Sequence, residues 1–263
     1  MERASAALVE RRYFDCERHC LEALELAHQQ PDYERMARIC LPLQEARRQK
    51  RDQAADSRRI FVVDDQLPAP DQLRAGCYLV KPPRVGLDGR MLREMCEKKD
   101  IPAIVITREP TTRTGFWPIV ALGPITIRTR IGPPPAETRP TTKPRKKKAT
   151  EPVEPAPVSA ATAPSADDVL PPVEWFLAAA EVLGDAAIAS VDPARPAYAR
   201  VEDLLMRLGT VPDHEKLHQR LAEACMQALR DGPLGGKARA DLLGEVEDLI
   251  LDVDDLEQDE EIN

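Results

Sequence analysis

The sequence predicts a multidomain α + α/β protein, helical at both ends around a small α/β module. Three observations predict it. Apolar residues recur at helical spacing between residues 13 and 55, short apolar runs replace that period between 60 and 131, and the helical period returns from residue 173. Eleven prolines between 133 and 172 separate the last two regions. The expected organisation is an N-terminal helical hairpin over 1–59, a small mixed α/β module over 60–132, a disordered proline-rich linker over 133–172 and an acidic C-terminal helical bundle over 173–263.

In the hairpin, Tyr13, Cys16, Cys20, Ala23, Leu24 and Ala27 share one face of a first helix. Pro31-Asp32 breaks that pattern and starts a second helix, roughly 33–55, with Met36, Ile39, Cys40 and Leu43 inward. Pro42 lies inside it and removes one backbone donor, which predicts a kink. The far end, EARRQKRDQA, is polar all round and is expected to leave the core.

The middle changes period. Residues 60–63, 77–80 and 103–106 are short apolar strands. Between the last two, 87–99 is an amphipathic helix with Leu87, Met91, Leu92, Met95 and Cys96 expected inward. Strand, helix and strand with continuous apolar runs imply parallel pairing through a right-handed crossover. Residues 118–122 and 125–131 flank Gly123-Pro124, and strict alternation in the second leaves one of its faces exposed. Proline, alanine, threonine and lysine dominate 133–172, a composition that buries too little apolar surface to offset its ordering entropy. Helices then return at about 173–189, 198–209, 213–230 and 237–257. The last places Leu242, Val246, Leu249, Val253 and Leu256 in a narrow seam suited to another helix, expected to be one of its own bundle.

Charge is uneven. The net charge is −8, yet residues 173–263 hold 8 basic and 21 acidic side chains, so the acidity belongs to the C-terminal part. Such a segment repels nucleic acid and anionic membrane and suits a basic protein partner, although a solvated, solubilising surface is the simpler account. Aromatic residues make up only 4%, which argues against a stacking platform for nucleic acid or a sugar-binding cleft. The six cysteines form no C-x-x-C pair, the first residues lack the apolar core of a signal peptide, and no apolar run approaches the roughly 20 residues that span a bilayer. A cytoplasmic protein with free thiols is expected.

Two stretches resemble known families. Tyr13-Phe14-Asp15-Cys16-Glu17 followed by Glu22-Ala23-Leu24-Glu25-Leu26 resembles the second half of a tetratricopeptide repeat (TPR). The resemblance implies a TPR-like hairpin packed through the tyrosine, the small residue three positions on and the Ala-Leu pair. It covers about one repeat; Arg11-Arg12 stand where the family has glycine, the usual Asp-Pro is displaced to Pro31-Asp32, and no second repeat follows. Residues 61–65 and 78–82 resemble two strand ends of bacterial receiver domains. The strand PAIVIT follows the lysine strand instead of preceding it, and no phosphorylated aspartate is identifiable.

Three constellations could carry chemistry. His214-Glu215-Lys216-Leu217-His218 fits H-E-x-x-H, in which two histidines one turn apart bind zinc and the glutamate activates water. Pro212-Asp213 places it in the first turn of a helix, and Lys216 sits at an inner position of the motif, so packing or capping histidines are the competing account. Cys16, His19 and Cys20 with Cys40 on the next helix could bind a soft metal, though cysteine also serves as a small core residue there. If the first three strands are parallel, their C-terminal ends gather Asp64, Asp65, Lys81, Thr107, Arg108 and Glu109 on the edge where open α/β sheets bind ligands, an arrangement suited to an anion. The basic run Lys143-Pro144-Arg145-Lys146-Lys147-Lys148 could meet phosphates but has no aromatic neighbours to stack bases. No Gly-rich phosphate loop and no G-x-S-x-G is present.

The sequence therefore supports a protein-interaction or adaptor protein, with no cofactor, no nucleic acid and no membrane partner expected. The alternatives are a zinc-dependent hydrolase using His214 and His218, or an anion-binding module using Asp64, Asp65, Lys81, Thr107 and Arg108.

Overall fold

A computed structural model describes residues 1–110, 115–135 and 170–232. Most of the expected linker, the basic run 143–148 and the helix expected at 237–257 lie outside these residues. The described residues form seven helices and one five-stranded mixed sheet, so the α and α/β mixture is observed.

The N-terminal helices are α1 (Glu2–Val9), α2 (Tyr13–Gln29) and α3 (Tyr33–Asp56). The Asp32 carboxylate accepts from the Arg35 backbone N–H at 2.9 Å, which caps α3 directly after the Pro31 break. Met36, Ile39, Cys40 and Leu43 are buried, as the spacing predicts. The far end of α3 is a correction. It does not leave the core: Ala46, Arg47, Lys50 and Ala54 are all buried, because charged partners meet the two cations inside.

Strands β1 (Ile60–Val63), β2 (Gly76–Val80) and β3 (Ala103–Arg108) are parallel, and helix α4 (Gly86–Lys98) joins the last two. Strands β4 (Trp117–Leu122) and β5 (Thr126–Ile131) complete the sheet by antiparallel pairing. The order is β1-β2-β3-β4-β5, strictly sequential, unlike the 2-1-3 opening of a receiver-type sheet.

Side-chain alternation divides the sheet into two faces. Val63, Tyr78 and Val80 pack with Leu73 of the β1–β2 connection and with Leu92 and Cys96 of α4. Cys77, Leu79, Ile104, Ile106, Trp117, Ile119 and Ile127 face a larger core shared with α3 and with α5 (Val173–Ala189). Trp175 of α5 lies edge-on to Trp117 with centroids 5.4 Å apart, and its indole N–H donates to the Gly132 carbonyl at 2.9 Å. Helices α6 (Ala197–Thr210) and α7 (Glu215–Asp231) extend this core through Leu204, Leu208, Leu217 and Leu221.

The phase of α4 is a second correction. Leu92 and Cys96 are buried as expected, but Leu87 and Met91 are exposed. The reason is Gly89, which faces the sheet. A Cβ there would sit 1.9 Å from Thr107 Oγ1, so the helix approaches β3 more closely than any side chain at 89 allows. That contact turns the Gly89, Leu92 and Cys96 stripe inward and swings Leu87 and Met91 to solvent. Gly89→Ala is expected to destabilise the fold by about 1–3 kcal/mol through overpacking, despite a gain of about 1 kcal/mol in helix propensity. Adding Thr107→Ala should recover part of the loss, giving a non-additive pair in urea unfolding. Purely additive effects would show that the contact does not set the spacing.

Candidate functional site

The strand-end edge forms in part. Lys81 and Asp64 leave neighbouring parallel strands, and their side chains meet at 3.3 Å. Asp65 follows, its backbone carbonyl accepting from the Arg84 guanidinium. Thr107 and Arg108 do not join them. Both pair with β4 (Thr107 with Val120, Arg108 with Ile119), so β3 continues into the ladder where a rim was expected. Thr107 is buried beneath Gly89, and the Arg108 guanidinium lies over the Trp117 ring, 4.5 Å from its centroid. Glu109 receives Arg128 at 2.9 Å. The crevice of doubly wound sheets forms where successive connections leave on opposite faces. Here the β1–β2 connection, through Leu73, and α4 cover the same face.

The two histidines of the HEKLH segment have different surroundings. His214 is the N-cap of α7, with extended backbone angles, so it stands outside the helical repeat that would align it with His218. Its imidazole is buried, with Nε2 3.3 Å from Glu181 and 3.5 Å from Asp185. Those carboxylates are also held by cations, Glu181 by Arg51 at 3.2 Å and Asp185 by Lys216 at 3.0 Å. Burial lowers the His214 pKa more than these carboxylates raise it. His218 Nδ1 lies 3.0 Å from the His214 carbonyl, and Nε2 lies 3.2 Å from Arg47 Nη1. A guanidinium only donates, so the network assigns the proton to Nδ1 and the Nε2 lone pair to Arg47. Burial, reinforced by Arg47, holds His218 down to about 3, so it is neutral. Among the described residues, no group of three or more His, Cys, Asp or Glu side chains is placed to hold a metal ion.

The cysteine cluster is core. Cys16, Cys20 and Cys40 are buried, and Cys40 Sγ donates to the Met36 carbonyl at 3.3 Å. His19 lies apart, partly exposed, beside Glu22. All six cysteines are free thiols, and burial pushes Cys40 and Cys225 up to about 12.

What periodicity missed is a buried ion network. Glu17 on α2 is only 7% exposed and Arg47 and Lys50 on α3 only 5% each. Arg47 Nε donates to Glu17 Oε1 at 2.6 Å, and Lys50 donates to the other Glu17 oxygen and to Glu97 of α4 at 2.6 Å. The two cations hold the Glu17 carboxyl at about 2, against the opposing effect of burial. The Lys50 ammonium also sits 4.2 Å from the centre of the Phe14 ring. The network ties α2, α3, α4 and, through His218, α7. The available signal was a cluster of charges within an otherwise apolar stripe of α3.

Helices α3 and α7 run antiparallel, Arg51 near the end of α3 meeting Glu215 at the start of α7 at 2.6 Å. At the opposite end of this pair residues of the two helices line a shallow, open groove. Ala37, Ala222 and Met226 form its apolar floor, and Arg38 and Arg230 stand on either side. Its acidic group, Glu223, is paired with Arg220 at 2.8 Å and Arg38 lies 4.0 Å from Glu34, so the lining residues carry a small net positive charge. Leu41, 72% exposed, continues the Ala37 stripe one turn on, and Leu229 continues that of Met226. The i, i+4, i+7 run Ala222, Met226, Leu229 was the sequence signal for a second, partly exposed stripe on α7.

Compared with known proteins, the chain matches no family model, no curated protein and no solved structure. Among the described residues, no helix is long and apolar enough to cross a membrane.

Proposed function

We propose that this chain is an interaction protein that docks an amphipathic helix of another polypeptide in the α3/α7 groove. The observation that carries this reading is the groove itself: half-buried Ala37 and Ala222 and exposed Met226 lining it together with two arginines. Helix-in-groove recognition needs these parts, apolar anchors at one-turn spacing and charges at the rim that set orientation. The preferred ligand face is apolar at i, i+3, i+4 and i+7 with acidic flanks.

Several sequence features support the wider adaptor reading. The TPR-like packing positions of residues 13–26 suit a protein-docking scaffold. The proline-rich composition of 133–172 supports a linker, and the acidic C-terminal part supports a basic partner as a second contact. Six free thiols support a reducing, cytoplasmic setting.

The test is fluorescence anisotropy with a designed acidic amphipathic peptide and its scrambled control, titrated against the full chain. Specific binding should weaken at least tenfold with Met226→Asp or with Arg38→Glu plus Arg230→Glu, and should weaken with added salt. A peptide that binds no better than its scrambled control, both to the chain and to its Leu249→Asp plus Val253→Asp variant, overturns the reading.

A further inference from the structure

We infer that the groove between α3 and α7 is a docking site for the chain's own C-terminal segment, residues 233–263, which competes there with an external helix. The inference rests on the groove reading above and names its resident occupant.

Four observations converge on this segment. The first is position. Arg230, which lines the groove, is two residues before Gly232, the last described residue, so the segment leaves from the groove's own rim. The second is the connection. Gly232 has φ +79, a backbone angle that favours glycine, and it ends α7. Residues 232–236 read Gly-Pro-Leu-Gly-Gly, the composition and length of a connection between antiparallel helices. Five residues reach about 17 Å when extended, beyond the 8–10 Å that separates packed helices.

The third is shape. Leu242, Val246, Leu249, Val253 and Leu256 form a seam in sequence, two to three apolar anchors for each pair of turns. As a helix, 237–257 would span about 31 Å, comparable to α7 itself. The floor of Ala37, Ala222 and Met226 offers small residues and one adaptable thioether to such a seam.

The fourth is charge. Residues 233–263 contain eleven acidic and two basic side chains, so most of the C-terminal acidity sits beyond α7. The groove's Arg38 and Arg230 meet that charge with the opposite sign. Because the segment is tethered, its effective concentration at the groove is on the order of millimolar, and even modest contacts would keep it seated.

The test uses the full chain. Hydrogen exchange over 242–256 should be at least tenfold slower in the parent than in Leu249→Asp plus Val253→Asp, and Met226→Asp or Arg38→Glu plus Arg230→Glu should produce the same loss. The designed peptide of the preceding test should bind the seam variant at least tenfold more tightly than the parent. Equal, groove-dependent binding to parent and seam variant would overturn the inference and leave the groove reading standing. No specific binding to either chain would overturn both. Protection insensitive to the groove variants, or lost on dilution together with a fall in mass to the monomer, would assign the segment elsewhere or to a second copy, and overturns docking in cis.

Discussion

Glu17→Gln should lower the stability of the fold by about 3–5 kcal/mol, the largest single effect expected in this chain. The carboxylate is the shared acceptor for Arg47 and Lys50, and all three groups are buried. Removing its charge leaves Arg47 in the interior with its desolvation uncompensated and Lys50 with one carboxylate in place of two. Glu97 still reaches Lys50, but no second carboxylate meets Arg47 in the network, and His218 offers that guanidinium only a neutral lone pair. The measurement is the urea midpoint at unchanged m. Glu94→Gln provides the contrast. It pairs with Arg90 on the exposed face of α4, and its loss should change stability by no more than about 0.5 kcal/mol. A Glu17→Gln chain within 1 kcal/mol of the parent would show that water reaches this network or that the cations rearrange. The same physics predicts a smaller loss when the charges leave together. Glu17→Leu, Arg47→Leu and Lys50→Met combined should be less destabilising than the single change, because no buried cation is left without its acceptor and Glu97, 46% exposed, can turn to solvent.

These residues also mark where sequence reading stops. The faces of α2 and α3 were legible because Cys16, Cys20, Leu24, Met36, Ile39 and Leu43 follow a local period that burial must respect. Parallel pairing of β1, β2 and β3 was legible from continuous apolar runs around one amphipathic helix. Burial of Arg47 and Lys50 was not, since a charge enters a core only if its partner does, and the partners lie 30 and 33 positions away on α2 and 171 away on α7. The phase of α4 was misread for a related reason. Hydrophobic periodicity gives weight to Leu87 and Met91 and none to Gly89, whereas packing against Thr107 selects the residue with no side chain. Of the candidate sites, the Asp64–Lys81 contact follows from adjacent strand ends. Thr107 and Arg108 left that edge because β3 acquires an antiparallel neighbour, a fact of tertiary pairing that no local pattern contains. In the HEKLH segment, the first-turn position after Pro212-Asp213 was legible, but only the fold shows that His214 takes the N-cap position, without a side-chain cap bond, while His218 lies inside the helix.

Acidification from pH 7.5 to 5 should destabilise the fold, and His218 should account for about 2 kcal/mol of that loss. Its folded pKa of about 3 lies below the ordinary value of 6.5. The native imidazole therefore stays neutral through this window while the unfolded chain takes up a proton. The unfolded state binds more protons, so stability falls as pH falls through 6.5 and continues to fall toward 3. His214 is lowered in the same direction and adds to the slope. Glu17, held near 2, contributes stability that is fully present above about 4.5, so it stays constant over the measured range. Asp213 acts with the opposite sign: burial raises its folded pKa, so protonation in the native state favours the fold as pH falls. The difference between parent and His218→Gln cancels these shared contributions to first order. Glutamine can still accept from Arg47, yet it cannot titrate. The variant should therefore show a stability curve flatter than the parent by about 2 kcal/mol between pH 7.5 and 5. Parallel curves would mean that His218 is protonated in the folded chain. In that case Arg47, a permanent cation 3.2 Å from Nε2, would have to move away first, and the α3–α7 junction would be looser than its geometry indicates.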